Sequence, residues 1–201
     1  MEPENRRRGG WSSVVRVELD GIPCYLKRQH RHRYLNKLLL PRPTLYREYC
    51  SLSILHNLGI AAAELLYYAD NNMDAVMVLQ ALDNHRDLNQ YLSETTSESS
   101  RQDTLSQLVQ VLLMMHKNKL VHGCLYGNHI LLKPTEVTMD IRLLDLEKMK
   151  RPVRWQAGVT RDLDQLFRHT PLLSTQECEL VLQAYRSSFP WFSQAWSKRQ
   201  G

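Results

Sequence analysis

One stretch constrains this chain more than any other: His116-Lys-Asn-Lys-Leu120-Val-His122-Gly-Cys124-Leu-Tyr-Gly-Asn128-His129-Ile-Leu-Leu132, with Leu143-Leu144-Asp145-Leu146-Glu147 following shortly after. Leu105, Leu108, Val109, Leu112 and Met115 precede it at helical spacing, so a helix is predicted to end at His116. The polar loop opening with His122 leads into an apolar run over 129–133, and a second extended run over 141–145 ends on a carboxylate. Helix, titratable loop, strand and carboxylate-tipped strand together point to a mixed α+β fold. With 201 residues the chain can bury about 70% of its unfolded surface, so a core and a binding cleft are within reach without disulfide or metal staples. Cys24, Cys50, Cys124 and Cys178 show no C-x-x-C spacing, as expected of reduced thiols.

The remaining pattern sorts into two parts. Val15, Val17 and Leu19 alternate with Arg16 and Glu18, Asp20-Gly21 supplies a turn of positive φ, and residues 22–28 continue extended, which predicts a β-hairpin. After Pro41 and Pro43, Thr44 is placed to cap a helix carrying Leu45, Tyr49, Leu52, Leu55 and Leu58, with Gly59 at its end. Apolar runs over 65–69 and 75–79 flank Asp70-Asn71-Asn72 and predict a second hairpin. Beyond Asp83 come a short helix near 88–92, an exposed Ser/Thr/Glu-rich loop over 93–100, the helix before His116, the short strands, and closing helices, the last opening on the capping box Ser174-Thr-Gln-Glu177. The predicted division is 1–82, a small β-lobe with one inserted helix, and 83–201, a mainly helical lobe, with a hinge near 80–83.

Protein-kinase-like phosphotransferases have this order of elements, and phosphate-handling residue types stand at the matching places. Lys27 lies on the second strand, where such a fold puts the lysine that contacts nucleotide phosphates, and Glu48 lies on the next helix, where its ion-pair partner belongs. Taken singly, each reads better as a solvated surface charge; together, in this order of elements, they favour the ion pair. The segment 122–129 reproduces the frame H-x-D-x-x-x-x-N, with Cys124 at the place of the aspartate and His129 at that of the metal-binding asparagine. Asp145 ends a strand where a metal-holding aspartate is expected, the alternative being a carboxylate that caps a turn. Tyr25 shares Lys27's face, a place where kinases keep a small residue above the adenine.

At these residues the sequence resembles the lipopolysaccharide core kinase (WaaP/Kdo kinase) family, and it is most similar to the InaA-like branch. The matching stretches are Tyr25-Leu-Lys-Arg28, Pro41-Arg-Pro-Thr-Leu-Tyr-Arg-Glu48, His122-Gly-Cys-Leu-Tyr-Gly-Asn-His129, Leu144-Asp-Leu-Glu-Lys148 and Arg161-Asp-Leu-Asp-Gln-Leu166, spread over most of the chain. The resemblance implies a two-lobed protein-kinase-like fold with a small antiparallel β-lobe plus one helix, ATP and Mg²⁺ as cofactors, and inner-core sugar hydroxyls of lipopolysaccharide, or a related glycolipid, as acceptors. It implies that Lys27 and Glu48 bind the nucleotide, His129 and Asp145 hold the metal, and His122, Cys124 and Asp162 form the catalytic set, with Asp162 bracing the catalytic-loop backbone. An alternative for Asp162 is simple charge at a helix N-terminus capped by Thr160. Histidine at the position of His129 is usual in the family.

Cys124 is the departure that matters. A protonated thiol accepts hydrogen bonds poorly, and losing a general base costs roughly 10²–10⁴-fold in rate. A kinase fold without turnover, serving as a nucleotide-sensing or partner-binding module, is therefore the alternative to an active sugar kinase. Only 56 residues follow Asp145, and no A-P-E anchor is among them. Residues 9–13, Gly9-Gly10-Trp11-Ser12-Ser13, precede the first predicted strand and are the candidate phosphate cover, the alternative being a frayed N-terminus.

The net charge of +5 calls for an anionic partner. Lys27, Arg28, Arg31, Arg33, Lys37, Arg42 and Arg47 form an acid-free run that fits peripheral contact with an anionic membrane surface, or simply a solvated face. No apolar run reaches the ~18 residues of a membrane span, so a cytoplasmic protein, peripheral at most at the inner membrane face, is expected. Nucleic acid is not an expected partner, because aromatic residues are not interleaved with the basic ones. His30-Arg-His32 lacks a third ligand and is not expected to bind metal.

Overall fold

The computed structural model describes residues 5–7, 10–35, 41–71 and 73–200. The chain divides into two compact units, Met1–Leu58 with Ala62–Asp83, and Gly59–Ala61 with Asn84–Gly201. In the first unit β1 (Asn5–Arg7), β2 (Gly10–Leu19) and β3 (Ile22–His30) run antiparallel, β2 and β3 joined through Asp20 and Gly21 at φ 51° and 78°. Two consecutive left-handed residues are what a two-residue hairpin turn requires, and glycine takes the second without steric cost. A short ribbon of β4 (Arg33–Leu35) and β5 (Pro41–Pro43) leads to α1 (Leu45–Asn57). The sheet is completed by β6 (Leu65–Asp70) and β7 (Asp74–Gln80), in the order β1-β2-β3-β7-β6.

Helix α1 turns Leu45, Glu48, Ser51, Leu52 and Leu55 inward and packs against β6 and β7, whose Ala75, Met77, Val78 and Leu79 are buried. Thr44 does not cap it. That residue already has helical backbone angles, and its hydroxyl lies 2.7 Å from Gln29 Nε2. Gln29, buried on β3, supplies the cap instead, its Oε1 accepting the Leu45 N–H at 3.0 Å. Of the candidate phosphate cover, residues 10–13 lie within β2, Gly10 paired with Arg7 of β1 and residues 11–13 with β3, and Gly9 is outside the described residues. In the basic run Lys37 is outside the described residues, while Arg28 lies 5.8 Å from the Trp11 ring centroid and Arg47 3.8 Å from that of Tyr34.

The second unit begins with β8 (Arg86–Asp87) and α2 (Leu88–Glu94), whose N-terminus is closed by a reciprocal capping box between Asp87 and Gln90. Helix α3 (Glu98–Lys117) starts inside the Ser/Thr/Glu-rich stretch because Ser97 accepts the Ser100 N–H; the predicted loop over 93–100 shrinks to residues 95–97. Strands β9 (Ile130–Pro134) and β10 (Met139–Leu143) form a small antiparallel sheet in the order β10-β9-β8. Three helices close the chain: α4 (Trp155–Arg168), α5 (Thr175–Ser188), which opens on the Ser174–Glu177 capping box, and α6 (Phe192–Gln200), one helix more than the capping signals predict. Leu105, Leu108, Leu112 and Met115 of α3, Ile130 and Leu132 of β9, Leu163 and Leu166 of α4 and Tyr185 of α5 form the core on which the loop 118–129 rests. Among the described residues no helix is long and apolar enough to cross a membrane.

Candidate active site

The first unit contributes a charged pair. Lys27 on β3 stands opposite Val14 and Met77, and its Nζ donates to Glu48 Oε1 on α1 at 2.6 Å. The side chains are 22% and 6% exposed, so Glu48 is a buried carboxylate whose one long cationic partner reaches out towards solvent. An unpaired carboxylate at that depth would be costly, so the pair fixes Lys27 in place as much as it stabilises the helix. Tyr25, two residues earlier on the strand, is 39% exposed.

The second unit holds the other predicted residues. Asp162 is fully buried and lies in the middle of α4, which begins at Trp155; Thr160 is therefore within the helix and caps nothing. Its carboxylate accepts the backbone N–H of His122 at 2.6 Å and of Gly123 at 2.8 Å. Gly123 can present its N–H this way because it adopts φ +82°, and a Cβ there would sit 3.0 Å from the Lys148 carbonyl oxygen. The same carboxylate is 3.2 Å from His116 Nε2, and His116 Nδ1 is 2.6 Å from the Tyr185 hydroxyl. A carboxylate only accepts, so the proton is assigned to Nε2 and the Tyr185 O–H donates to Nδ1. Burial, with the Asp162 charge behind it, keeps the Tyr185 phenol protonated well above its ordinary range. His116 and Tyr185 thus extend a buried chain from α5 to the loop, linking residues 69 apart in sequence with no periodic signal to announce it.

His122 ties the loop to the strand that carries Asp145. Its Nε2 donates to the Leu144 carbonyl at 2.9 Å, its Nδ1 accepts from the Cys124 N–H at 3.3 Å, and burial lowers its pKa, which keeps the imidazole neutral. Asp145 follows in a left-handed conformation, φ 54° and ψ 56°, with its side chain 45% exposed. A non-glycine residue held there is uncommon, and aspartate is among the few that tolerate it. His129 Nδ1 is 2.8 Å from the Cys124 carbonyl oxygen and 3.8 Å from Asp145 Oδ2. The structure therefore gathers His122, Cys124, His129 and Asp145 on one loop system, braced by Asp162 from α4, with Lys27 and Glu48 paired in the other unit.

The donor set suits a cation delivered with phosphate. Mg²⁺ takes one or two carboxylates and completes its shell with water and phosphate oxygens, and Asp145 offers an accessible carboxylate. Donation of the His129 Nδ1–H to a carbonyl leaves the lone pair on Nε2, the arrangement of ligating imidazoles. Among the described residues no cluster of three His, Cys, Asp or Glu side chains forms a metal site by itself. One residue without an assigned role adjoins Cys124: Lys148 Nζ is 3.1 Å from its Sγ. Lys148 is 24 residues away in the chain and reaches the thiol only because the backbone reverses at Asp145.

Comparison with known proteins follows the same line. The model of the lipopolysaccharide kinase (Kdo/WaaP) family matches residues 1–185. The chain is 26% identical over 194 residues to Protein InaA of Escherichia coli (strain K12), covering 92% of this chain and 89% of that one. Among solved structures, an aminoglycoside-3'-phosphotransferase of type VIII is similar with a TM-score of 0.64 and 15% identity, covering 94% of this chain and 86% of that one. At that identity the likeness is one of fold, and the fold is the protein-kinase-like α+β fold that the order of elements predicts.

Proposed function

The chain belongs to the lipopolysaccharide kinase (Kdo/WaaP) family, and from that premise we propose that it transfers the γ-phosphoryl group of ATP, in the presence of Mg²⁺, to a sugar of the lipopolysaccharide inner core or a related glycolipid. Family and fold together support a phosphotransferase. The observation that carries the finer reading is the loop braced by Asp162 through two backbone N–H groups and ending beside Asp145, because phosphoryl transfer depends on positioning and charge neutralisation. In this reading Lys27, held by Glu48, grips the nucleotide phosphates, Asp145 and His129 hold Mg²⁺, and the segment at His122 and Cys124 presents the acceptor. Residues 1–82 act as the nucleotide-gripping lobe and 83–201 as the lobe of the metal and acceptor. The protein works in the cytoplasm, with at most a salt-sensitive contact between its basic residues and anionic lipid at the inner membrane face.

A ligand that binds only the folded state raises its melting temperature. ATP with Mg²⁺ is expected to do so, and Asp145→Asn to remove the metal-dependent part of the shift. No shift at millimolar ATP with either Mg²⁺ or Mn²⁺ contradicts the proposal. Because Cys124 replaces a general base, a second reading as a nucleotide-binding module without turnover is kept; it predicts the shift without any transfer of phosphate.

A further inference from the structure

Helices α4 and α6 enclose a cavity of about 380 Å³ within the second unit. Small side chains make the room: Ala157 and Thr160 stand one turn apart on α4, and Ala195 lies on α6. Lys198 and Arg199 follow Ala195 at helical spacing and share its face, while Arg154 comes in from the start of α4. Three cations thus line the cavity, and no carboxylate does among the described residues. The carboxylate nearest in sequence on α4, Asp164, is already occupied: its Oδ2 accepts from Arg199 Nε at 3.1 Å and Nη2 at 2.6 Å, and from Arg168 at 2.8 Å. Arg154 and Lys198, in contrast, make no ion pair among the described residues. Two cations at one cavity without a counter-ion repel each other, and an anion between them turns that repulsion into attraction.

The cavity lies close to the loop that presents the acceptor. Gly158 follows Ala157 but turns towards that loop, where a Cβ would stand 2.6 Å from Val121 Cγ1, so the first turns of α4 pack directly on residues 118–129. Loop and cavity are therefore on different sides of the same stretch of helix, about one helix diameter, ~10–12 Å, apart. We propose that the cavity binds a phosphate group carried by the acceptor glycolipid, remote from the sugar hydroxyl that reacts, with Arg154 and Lys198 holding it. This rests on the phosphotransferase reading. A guanidinium fork and a mobile ammonium suit a tetrahedral dianion, and Arg199, engaged with Asp164, forms the wall beside them. Contacts to a part of the substrate that does not react fix the orientation of the part that does. Such positioning matters most where the loop offers a thiol, Cys124, in place of a base.

Binding is measured apart from turnover. The full-length protein is titrated calorimetrically with deacylated inner-core oligosaccharide, either untreated or dephosphorylated with hydrofluoric acid, and the untreated titration is repeated in the presence of inorganic phosphate. The untreated oligosaccharide should bind roughly 10-fold or more tightly than the dephosphorylated one, less so at high salt, and inorganic phosphate should compete with it. The double variant Arg154→Ala with Lys198→Ala should bind both oligosaccharides alike, as should Ala195→Glu, which puts a carboxylate into the cavity. In both variants ATP with Mg²⁺ should raise the melting temperature as much as in the parent, which separates this phosphate from those of the nucleotide. Equal binding of the two oligosaccharides by the parent, binding of neither, or an undiminished difference in the double variant overturns the proposal. Should Ala195→Glu fail to fold, the double variant, changed only at exposed side chains, decides alone. Phosphate-dependent binding without any ATP-induced rise in the parent bears out the cavity and overturns the phosphotransferase reading beneath it.

Discussion

Asp162→Asn tests the brace under the loop with the least change of shape. The buried carboxylate of Asp162 accepts from His122 N at 2.6 Å and Gly123 N at 2.8 Å and faces His116 Nε2 at 3.2 Å. Asparagine retains one acceptor oxygen, but its amide nitrogen turns a donor towards groups that are themselves donors. A hydrogen bond to a charged group contributes about 1.5–3 kcal/mol, and a buried N–H left without a partner costs about 1–3 kcal/mol. One lost bond and one orphaned donor, allowing for some relaxation, give a destabilisation of about 3–5 kcal/mol, a large share of the ~5–15 kcal/mol by which domains are stable. With a urea slope of about 2 kcal/mol per molar, the unfolding midpoint should fall by roughly 1.5–2.5 M. The assay is equilibrium urea denaturation followed by far-ultraviolet circular dichroism. A midpoint within about 0.5 M of the parent protein refutes the view that Asp162 carries the loop through these bonds.

Three further outcomes follow from the same geometry. Tyr185→Phe removes the donor to His116 Nδ1 and leaves that nitrogen buried and unpaired, which should cost about 1–2 kcal/mol in the same denaturation experiment; an effect near zero would mean that the hydroxyl contributes nothing. Lys27→Met should abolish the ATP-induced rise in melting temperature, and Glu48→Gln, which leaves Lys27 without its anion, should weaken ATP affinity by about 10-fold in isothermal titration. Arg101 donates to both oxygens of the buried Glu177 at 2.6 Å and 2.8 Å and holds that carboxyl below its ordinary value. The depressed folded-state pKa means that the pair's stabilisation is present above the ordinary glutamate value, near ~4.3, and is lost as the pH falls through the folded value. Arg101→Met should therefore lower the melting temperature at neutral pH and flatten its decline in acid, and parallel pH profiles for variant and parent would contradict this.

Local signals were legible where the physics is local. Asp20-Gly21 declares its hairpin because two left-handed residues are needed there, and Ser174 with Glu177 declares a helix start because both partners lie within one turn. The start of α4 was not legible: Arg154 at its N-terminus makes no side-chain cap, so Thr160 stood out in a segment that is already helical. Thr44 misled for a related reason, since the cap it was suited to provide comes from Gln29, 15 residues earlier on a neighbouring strand. At the site, the loop frame and Asp145 could be read from residue types and spacing. The contacts that complete it, Lys148 with Cys124 and Tyr185 with His116, depend on a left-handed turn and on packing between α3 and α5, which no short-range pattern encodes.

The most direct test of the account is phosphate transfer itself. Purified protein, γ-labelled ATP and Mg²⁺ are incubated with extracted inner-core lipopolysaccharide, and the label is followed into the glycolipid with Asp145→Asn in parallel. The account predicts label in the glycolipid with the parent protein and at least a ~100-fold lower rate with the variant, as for loss of a group that neutralises phosphoryl charge. A parent protein that binds ATP yet leaves the glycolipid unlabelled, or an Asp145→Asn variant that transfers as fast as the parent, contradicts it.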